Sequence, residues 1–249
     1  MEKQVIDNYY TSRKPKLLKG FDKTANLVRD FVVSSYSSDF ADSLYREVRR
    51  EYEELIPQIP RIKGVRAGSL NTFLVISAQE LAVYKVMKKY GKTAGEAWAI
   101  CHNALRLRME KFPKIKRWLL ARLMYSSFVK RRMQKRAEEG QQLRFGNFEV
   151  KYVIGDGKTF DFGVDYVACG IYKFMQDQGA EGFAPYACMS DIALSDAMRW
   201  GLIRTETLAD GCERCDFRFK KGGRTQISSK TPEVQATIER IREKQAFQF

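Results

Sequence analysis

Apolar residues recur at helical spacing almost without a break through the first 139 residues, and the pattern stops at Gly140. That division sets the fold class. The segment 2–56 reads as two helices. The second runs from about Ser38 to Leu55, with Ser38 or Asp39 as its cap and Phe40, Leu44, Tyr45, Val48, Tyr52 and Leu55 on one face. Pro57 and Pro60 break the chain into a loop from Ile56 to Gly64. A third helix spans about Leu70 to Tyr90 and stops at Gly91. Thr93 then caps a helix through Trp98 to about Lys111, which Pro113 ends, and a basic helix follows to about Glu139.

Beyond Gly140 the periodicity alternates. Phe148–Ile154 reads as a strand with Gly155-Asp156-Gly157 as its turn. Helical spacing resumes from about Asp161 to Gln178 and again near Asp191–Trp200. Ile203–Leu208 and Cys215–Lys220 read as two strands of a hairpin around Ala209-Asp210-Gly211. Thr231-Pro232 starts a last helix, 231–246. No internal repeat is present. The expected architecture is α+β: a helical region, 1–140, packed on a small antiparallel-sheet module, 141–249, as one compact unit. A chain of 249 residues that is 44% hydrophobic can bury a core of that kind.

Charge is distributed unevenly. The net charge is +14, yet residues 106–136 alone hold twelve Lys or Arg against one acid, Glu110, leaving only +3 for the rest. Within that window Ile115, Leu119, Leu123 and Met124 fall at helical spacing, and Trp118, Phe128 and Met133 continue the stripe. The plain reading is an amphipathic helix with its basic face in solvent. The sharper reading is a face for phosphate or for an acidic partner. No zinc-finger spacing, RNP-type aromatic motif or Gly-rich phosphate loop is present, so nucleic acid is not an expected partner. The start MEKQVIDNYY lacks the apolar run of a secretory leader, and the longest apolar candidate, residues 118–125, is interrupted by Arg122. A soluble cytoplasmic protein with reduced cysteines and no membrane span is expected.

Chemistry concentrates in the second half. Four of the five cysteines, Cys169, Cys188, Cys212 and Cys215, share a segment, 161–219, that carries ten acids and five bases. A thiol beside carboxylates is a reactive group once activated, although cysteine is also a common core residue. Cys212 and Cys215 form a single C-x-x-C pair. A structural zinc site needs a second close pair, so zinc is a secondary reading and no cofactor is expected. The only histidine, His102, sits in a helix remote in sequence from the cysteines.

The run Cys169, Tyr186-Ala187-Cys188-Met189-Ser190-Asp191, Arg204-Thr205-Glu206-Thr207-Leu208-Ala209-Asp210-Gly211 and Cys215-Asp216-Phe217-Arg218-Phe219 resembles the L-2-amino-thiazoline-4-carboxylic acid hydrolase family. Ile59-Pro60, the Gly68–Thr72 element and Ala78-Gln79-Glu80-Leu81-Ala82-Val83-Tyr84 are similar as well, so the likeness spans roughly residues 5–220. Cys212 is an extra relative to that pattern. The second half is also similar to the small-molecule-binding module named after vinyl reductases, which often senses ligands. The first resemblance implies ring-opening hydrolysis of a cyclic amidine-like carbon–nitrogen bond to a carbamoyl-cysteine.

The residues suggest how such a reaction would run. Asp191 lies three positions after Cys188, one helical turn away. Asp191 would bind the cationic N–C–N edge while Cys188 attacks the carbon. Cys215 or Cys169 are the other candidate nucleophiles, and in the alternative Asp191 is a general base on water. The adjacent carboxylate favours Cys188, yet it also raises the thiol pKa, an objection that is eased if the substrate cation neutralises Asp191. Arg204 and Arg218 are candidates for the substrate carboxylate, Asn71 for a polar edge, and Asp165 for a place one helical turn before Cys169. Asp216 and Cys215 alternate on a strand, so only one of them points inward. An enzyme predicts a polar cavity where Asp191 meets at least one of the three thiols. A sensor predicts an apolar cavity without convergent polar groups. A third reading is an interaction protein working through the basic face.

Overall fold

A computed structural model describes residues 8–64, 67–140 and 142–246; the expected helical positions 2–7 and the position 141 that opens the second region lie outside the described residues. The helices α1 (Asn8–Thr11), α2 (Lys14–Ser35), α3 (Ser38–Leu55), α4 (Ala67–Lys89) and α5 (Ala94–Glu110) form the first layer. Caps fix their starts. Ser37, one residue before the expected cap, accepts from the Phe40 amide and opens α3. Thr93 and Glu96 close a reciprocal capping box on α5. On α3 the stripe Leu44, Val48, Tyr52 and Leu55 is buried as its spacing requires, with Phe40 and Tyr45 packed at its margin.

The basic stretch is two helices, α6 (Lys114–Met124) and α7 (Ser127–Glu138), because Ser126 accepts from the Val129 amide and caps a new start. Neither helix buries a residue. The stripe expected to pack inward does the reverse: Ile115, Trp118, Leu119, Leu123 and Phe128 are all exposed. The inward face of α6 is Arg117, Ala121 and Met124 instead. Arg117 Nη1 reaches the Ala197 carbonyl.

The remaining chain builds one six-stranded sheet with α8 (Gly170–Asp177), α9 (Ala184–Cys188), α10 (Ser190–Met198) and α11 (Pro232–Ala246). Its strands are β1 (Gln142–Phe145), β2 (Phe148–Ile154), β3 (Phe162–Ala168), β4 (Leu202–Arg204), β5 (Cys215–Phe219) and β6 (Gln226–Ile227), in the order β1-β2-β3-β5-β4-β6. All pairs are antiparallel except β4 with β6. The fold is therefore α+β, with helices filling the first half. One buried apolar cluster runs through both layers, from Phe21, Tyr52 and Leu81 to Phe148, Leu202 and Val234.

Residues 162–168 correct the expected helix 161–178. They are strand, and only Gly170–Asp177 is helical. This moves Asp165. On a strand it points away from Tyr166 and Val164, out of the face that covers the core.

Candidate active site

Strand alternation aims one face of the sheet at the helices. Val150 and Tyr152 of β2, Phe162, Val164 and Tyr166 of β3, and Cys215, Phe217 and Phe219 of β5 all line a cavity of about 380 Å³. Phe73, Ile76, Ser77 and Glu80 of α4 close it from the opposite side, with Cys169, Cys188, Ser190 and Asp191 at one end. Most of the wall is apolar, and its charged groups, Glu80, Asp191 and Arg204, meet in one corner.

The corner is organised by an ion pair. Arg204, at the end of β4, is 2% exposed. Its Nη1 donates to Asp191 Oδ2 and, at 3.0 Å, to the carbonyl of Cys188. The guanidinium carbon lies 5.5 Å from the centre of the Phe217 ring, and the buried Nε has no hydrogen-bond partner among the described residues. Asp191 sits in the first turn of α10, where the helix dipole favours a carboxylate. Its Oδ1 makes no hydrogen bond among the described residues, and 24% of its side-chain surface remains accessible. Burial raises the Asp191 carboxyl above its ordinary range, and Arg204 offsets only part of that rise.

Three expected thiols reach this corner, as the α9–α10 junction and β5 dictate. Cys188 ends α9, so it and Asp191 both face the cavity. Cys215 is flanked by Tyr166 across the strand pair and accepts from the Leu208 amide at 3.3 Å. Cys169 caps α8 beside the amides of Ile171 and Tyr172. None is activated. Burial pushes Cys169 and Cys215 up to about 12 and Cys188 higher still, against the partial relief Arg204 gives it. Cys212 is absent from the wall and lies beside the Lys230 ammonium. Among the described residues, no group of three His, Cys, Asp or Glu side chains is arranged to hold a metal ion.

Three expected binding residues lie elsewhere. Asn71 is a clamp: Oδ1 accepts from the Tyr10 hydroxyl and the Ile62 amide, and Nδ2 donates to the Ile62 carbonyl, each at 2.9 Å. It pins the 56–64 loop to α4 and is not in the cavity wall. Asp165 and Arg218 occupy the far face of the sheet, paired to each other at 2.7 Å, because each alternates with a cavity-facing neighbour. Asp216 also turns outward, as its alternation with Cys215 requires, and accepts from the Thr205 and Glu206 amides. His102 packs at a tilt against Trp98, outside the cavity wall, and burial lowers its pKa to about 4.

Glu80 is the site residue that sequence reasoning missed. It is almost fully buried on α4, faces the cavity, and accepts from the Ser190 hydroxyl at 2.7 Å. Burial, with Asp191 adding to it, raises its pKa to about 7. An acid on the buried face of α4, with Leu74, Ala78, Leu81 and Ala82 around it, was the available signal.

A sequence model of the family described as L-2-amino-thiazoline-4-carboxylic acid hydrolase matches residues 75–219. That is more than half of the chain, and it contains Glu80, the three cavity thiols, Asp191 and Arg204. The chain belongs to this family. The match leaves out the similar segments before residue 75, Asn71 among them, and the last helix. Nothing among curated proteins or solved structures matches. For this member of the thiazoline-carboxylate hydrolase family, the matched span covers most of the elements that build the cavity: α4 from residue 75 at one wall, β3 and β5 at the other, and the α9–α10 junction between them.

Proposed function

We propose that the cavity hydrolyses a non-peptide carbon–nitrogen bond in a small cyclic amidine, with ring opening of a 2-amino-thiazoline carboxylate to a carbamoyl-cysteine as the type reaction. One observation carries this reading: a carboxylate fixed by a buried arginine, with a free oxygen, beside a second carboxyl poised near neutrality. Burial raises both carboxyls, but Arg204 opposes the rise at Asp191 while Glu80 goes to about 7, and such unequal surroundings suit an acid–base pair.

The division of labour follows from the surroundings. Arg204 favours the Asp191 carboxylate against the rise that burial causes, so Oδ1 can pair with the cationic N–C–N edge and hold the ring in its more electrophilic form. Asp191 also accepts the proton of the attacking water. Water oxygen bonds to the ring carbon that carries the amino group. The bond from that carbon to the ring nitrogen then breaks: neutral Glu80 protonates the departing nitrogen, and the hydroxyl proton left on the carbon passes to the Glu80 carboxylate as the carbamoyl carbonyl forms. Tyr166, Phe217 and Phe219 give the sheet side of the cavity an aromatic surface against which a planar ring can pack out of water. The reaction needs no cofactor.

Water rather than sulfur is the nucleophile because none of the three thiols has a hydrogen bond to a base and all are held protonated by burial. Cys188→Ala is expected to lower kcat by less than about tenfold, through packing alone. A loss of about a thousandfold with the fold intact would assign the attack to Cys188.

Glu80 sets the pH dependence. As the proton donor it must be neutral, so kcat/KM falls as pH rises through about 7. Glu80→Gln removes that alkaline limb and slows turnover about a hundredfold. A limb near 7 that persists in the variant assigns it to another group. Stability moves the same way. The folded pKa of Glu80 lies above the unfolded value of 4.5, so the native state holds this proton longer. Its favourable effect is full below about 4.5 and declines by about 3 kcal/mol as pH rises to about 7.

The apolar bulk of the wall favours a second reading, a ligand-binding module of the vinyl-reductase type. The test is direct: protein incubated with 2-amino-thiazoline-4-carboxylate yields the carbamoyl product if the cavity is catalytic. If the cavity only binds, the ring is recovered unchanged.

A further inference from the structure

Of the eight large apolar side chains exposed among the described residues, six lie within 115–128, on α6 and the first turn of α7. Ile115, Trp118, Leu119 and Leu123 recur at helical spacing along one outward stripe, and Ile115, Trp118 and Phe128 are 68%, 53% and 67% exposed. Helices of a folded domain normally bury such a stripe; here the inward faces are Arg117, Ala121 and Met124 on α6, and Lys130, Met133 and Arg136 on α7. The apolar stripe thus has no partner among the described residues. Cations surround it: Lys114, Lys116, Arg122, Arg131 and Arg132 are all exposed, and no carboxylate among the described residues pairs with them.

We propose that α6 and α7 dock the protein on an anionic lipid surface, with Trp118, Leu119, Leu123 and Phe128 entering the headgroup boundary and the flanking cations meeting lipid phosphates. The observations select this occupant by charge and by apolar content together. A second copy of the chain would satisfy the stripe but would bring two strongly cationic faces into contact. A polynucleotide would satisfy the cations but gives no reward for inserting leucine and isoleucine. An anionic bilayer rewards both, and a tryptophan belongs at its interface. Neither helix is long enough to span; each lies in the plane of the surface. Their inner sides carry Met124 and Met133 into the cavity wall, so docking would set that wall next to the lipid. This inference stands apart from the proposed hydrolysis.

The test uses the full chain and two sets of vesicles, phosphatidylcholine alone and phosphatidylcholine with ~30% phosphatidylglycerol. Co-sedimentation is expected to be at least about tenfold stronger on the anionic vesicles and to weaken with salt. Trp118 emission should shift to the blue on binding, and Trp118→Phe should remove the shift. Leu119→Asp and the pair Arg131→Gln with Arg132→Gln should each cut binding about tenfold. Because all three positions are exposed, both variants should melt with the parent protein. Equal or absent binding on the two vesicle types overturns the proposal. So does a dimer in sedimentation velocity that Leu119→Asp dissociates, or an RNA oligonucleotide bound more tightly than the anionic vesicles.

Discussion

Asp191→Asn should lower kcat for ring opening of 2-amino-thiazoline-4-carboxylate by about a thousandfold. The substitution keeps the size and one oxygen of the side chain but removes the charge. Three functions go with it: pairing with the cationic ring, polarisation of the attacked carbon, and removal of a proton from water. Charge stabilisation in a water-poor site and general-base action are each worth about a hundredfold or more. Asparagine also leaves the Arg204 cation, 2% exposed, without its counter-charge. The variant is therefore less stable, and the assay must run below its own melting temperature, with near-ultraviolet circular dichroism showing native packing. A folded Asp191→Asn protein that turns over within threefold of the parent would remove Asp191 from the chemistry.

Arg204→Met should be the most destabilising single change in the site. Methionine matches the length of the side chain and suits the ring of Phe217 beneath it, so packing is nearly preserved. What disappears is the donor to Asp191 and to the Cys188 carbonyl. Breaking one side of a buried pair costs about 3–5 kcal/mol, because the remaining charge is left in a poor solvent. The direction with pH follows. Without Arg204, only the burial that already raises Asp191 remains. Its folded pKa then lies above the unfolded 3.8, so the variant recovers stability as pH falls and loses it as pH rises. Adding Asp191→Asn to Arg204→Met removes the orphaned charge and should restore most of the loss. Urea denaturation of the four proteins gives the coupling directly. Independent, additive effects would mean that the two side chains do not act as a pair.

Some of this site was legible in the sequence, and the reasons differ residue by residue. Cys188 and Asp191 share the cavity because three residues across a helical junction keep two side chains on one side, which spacing alone reveals. Cys215 points inward and Asp216 outward because a strand has a period of two. Asp165 was misplaced because Phe162, Asp165 and Cys169 fit a helical period as well as Phe162, Val164 and Tyr166 fit a strand. Once that stretch is a strand, Asp165 and Arg218 pass together to the outer face and pair there. Asn71 read as a polar group for substrate, yet only the fold shows the Ile62 backbone and the Tyr10 hydroxyl that consume it. Glu80 escaped notice because its importance comes from burial, and burial depends on which face of α4 meets the sheet. The basic helices show the same ambiguity in reverse. Periodicity finds the stripe at Ile115, Trp118, Leu119 and Leu123 but does not say whether it faces the core or the outside.

The most direct test of the central claim follows the fate of a bound ring in the parent protein. Calorimetric titration with 2-amino-thiazoline-4-carboxylate gives the bound fraction, and mass spectrometry of the released small molecules gives what became of it. Under excess ring, the account predicts many equivalents of carbamoyl-cysteine per protein, no mass added to the chain, and a rate that falls as pH passes about 7. Ring that binds and leaves unchanged over the whole pH range, or a carbamoyl group retained on a cysteine, would contradict it.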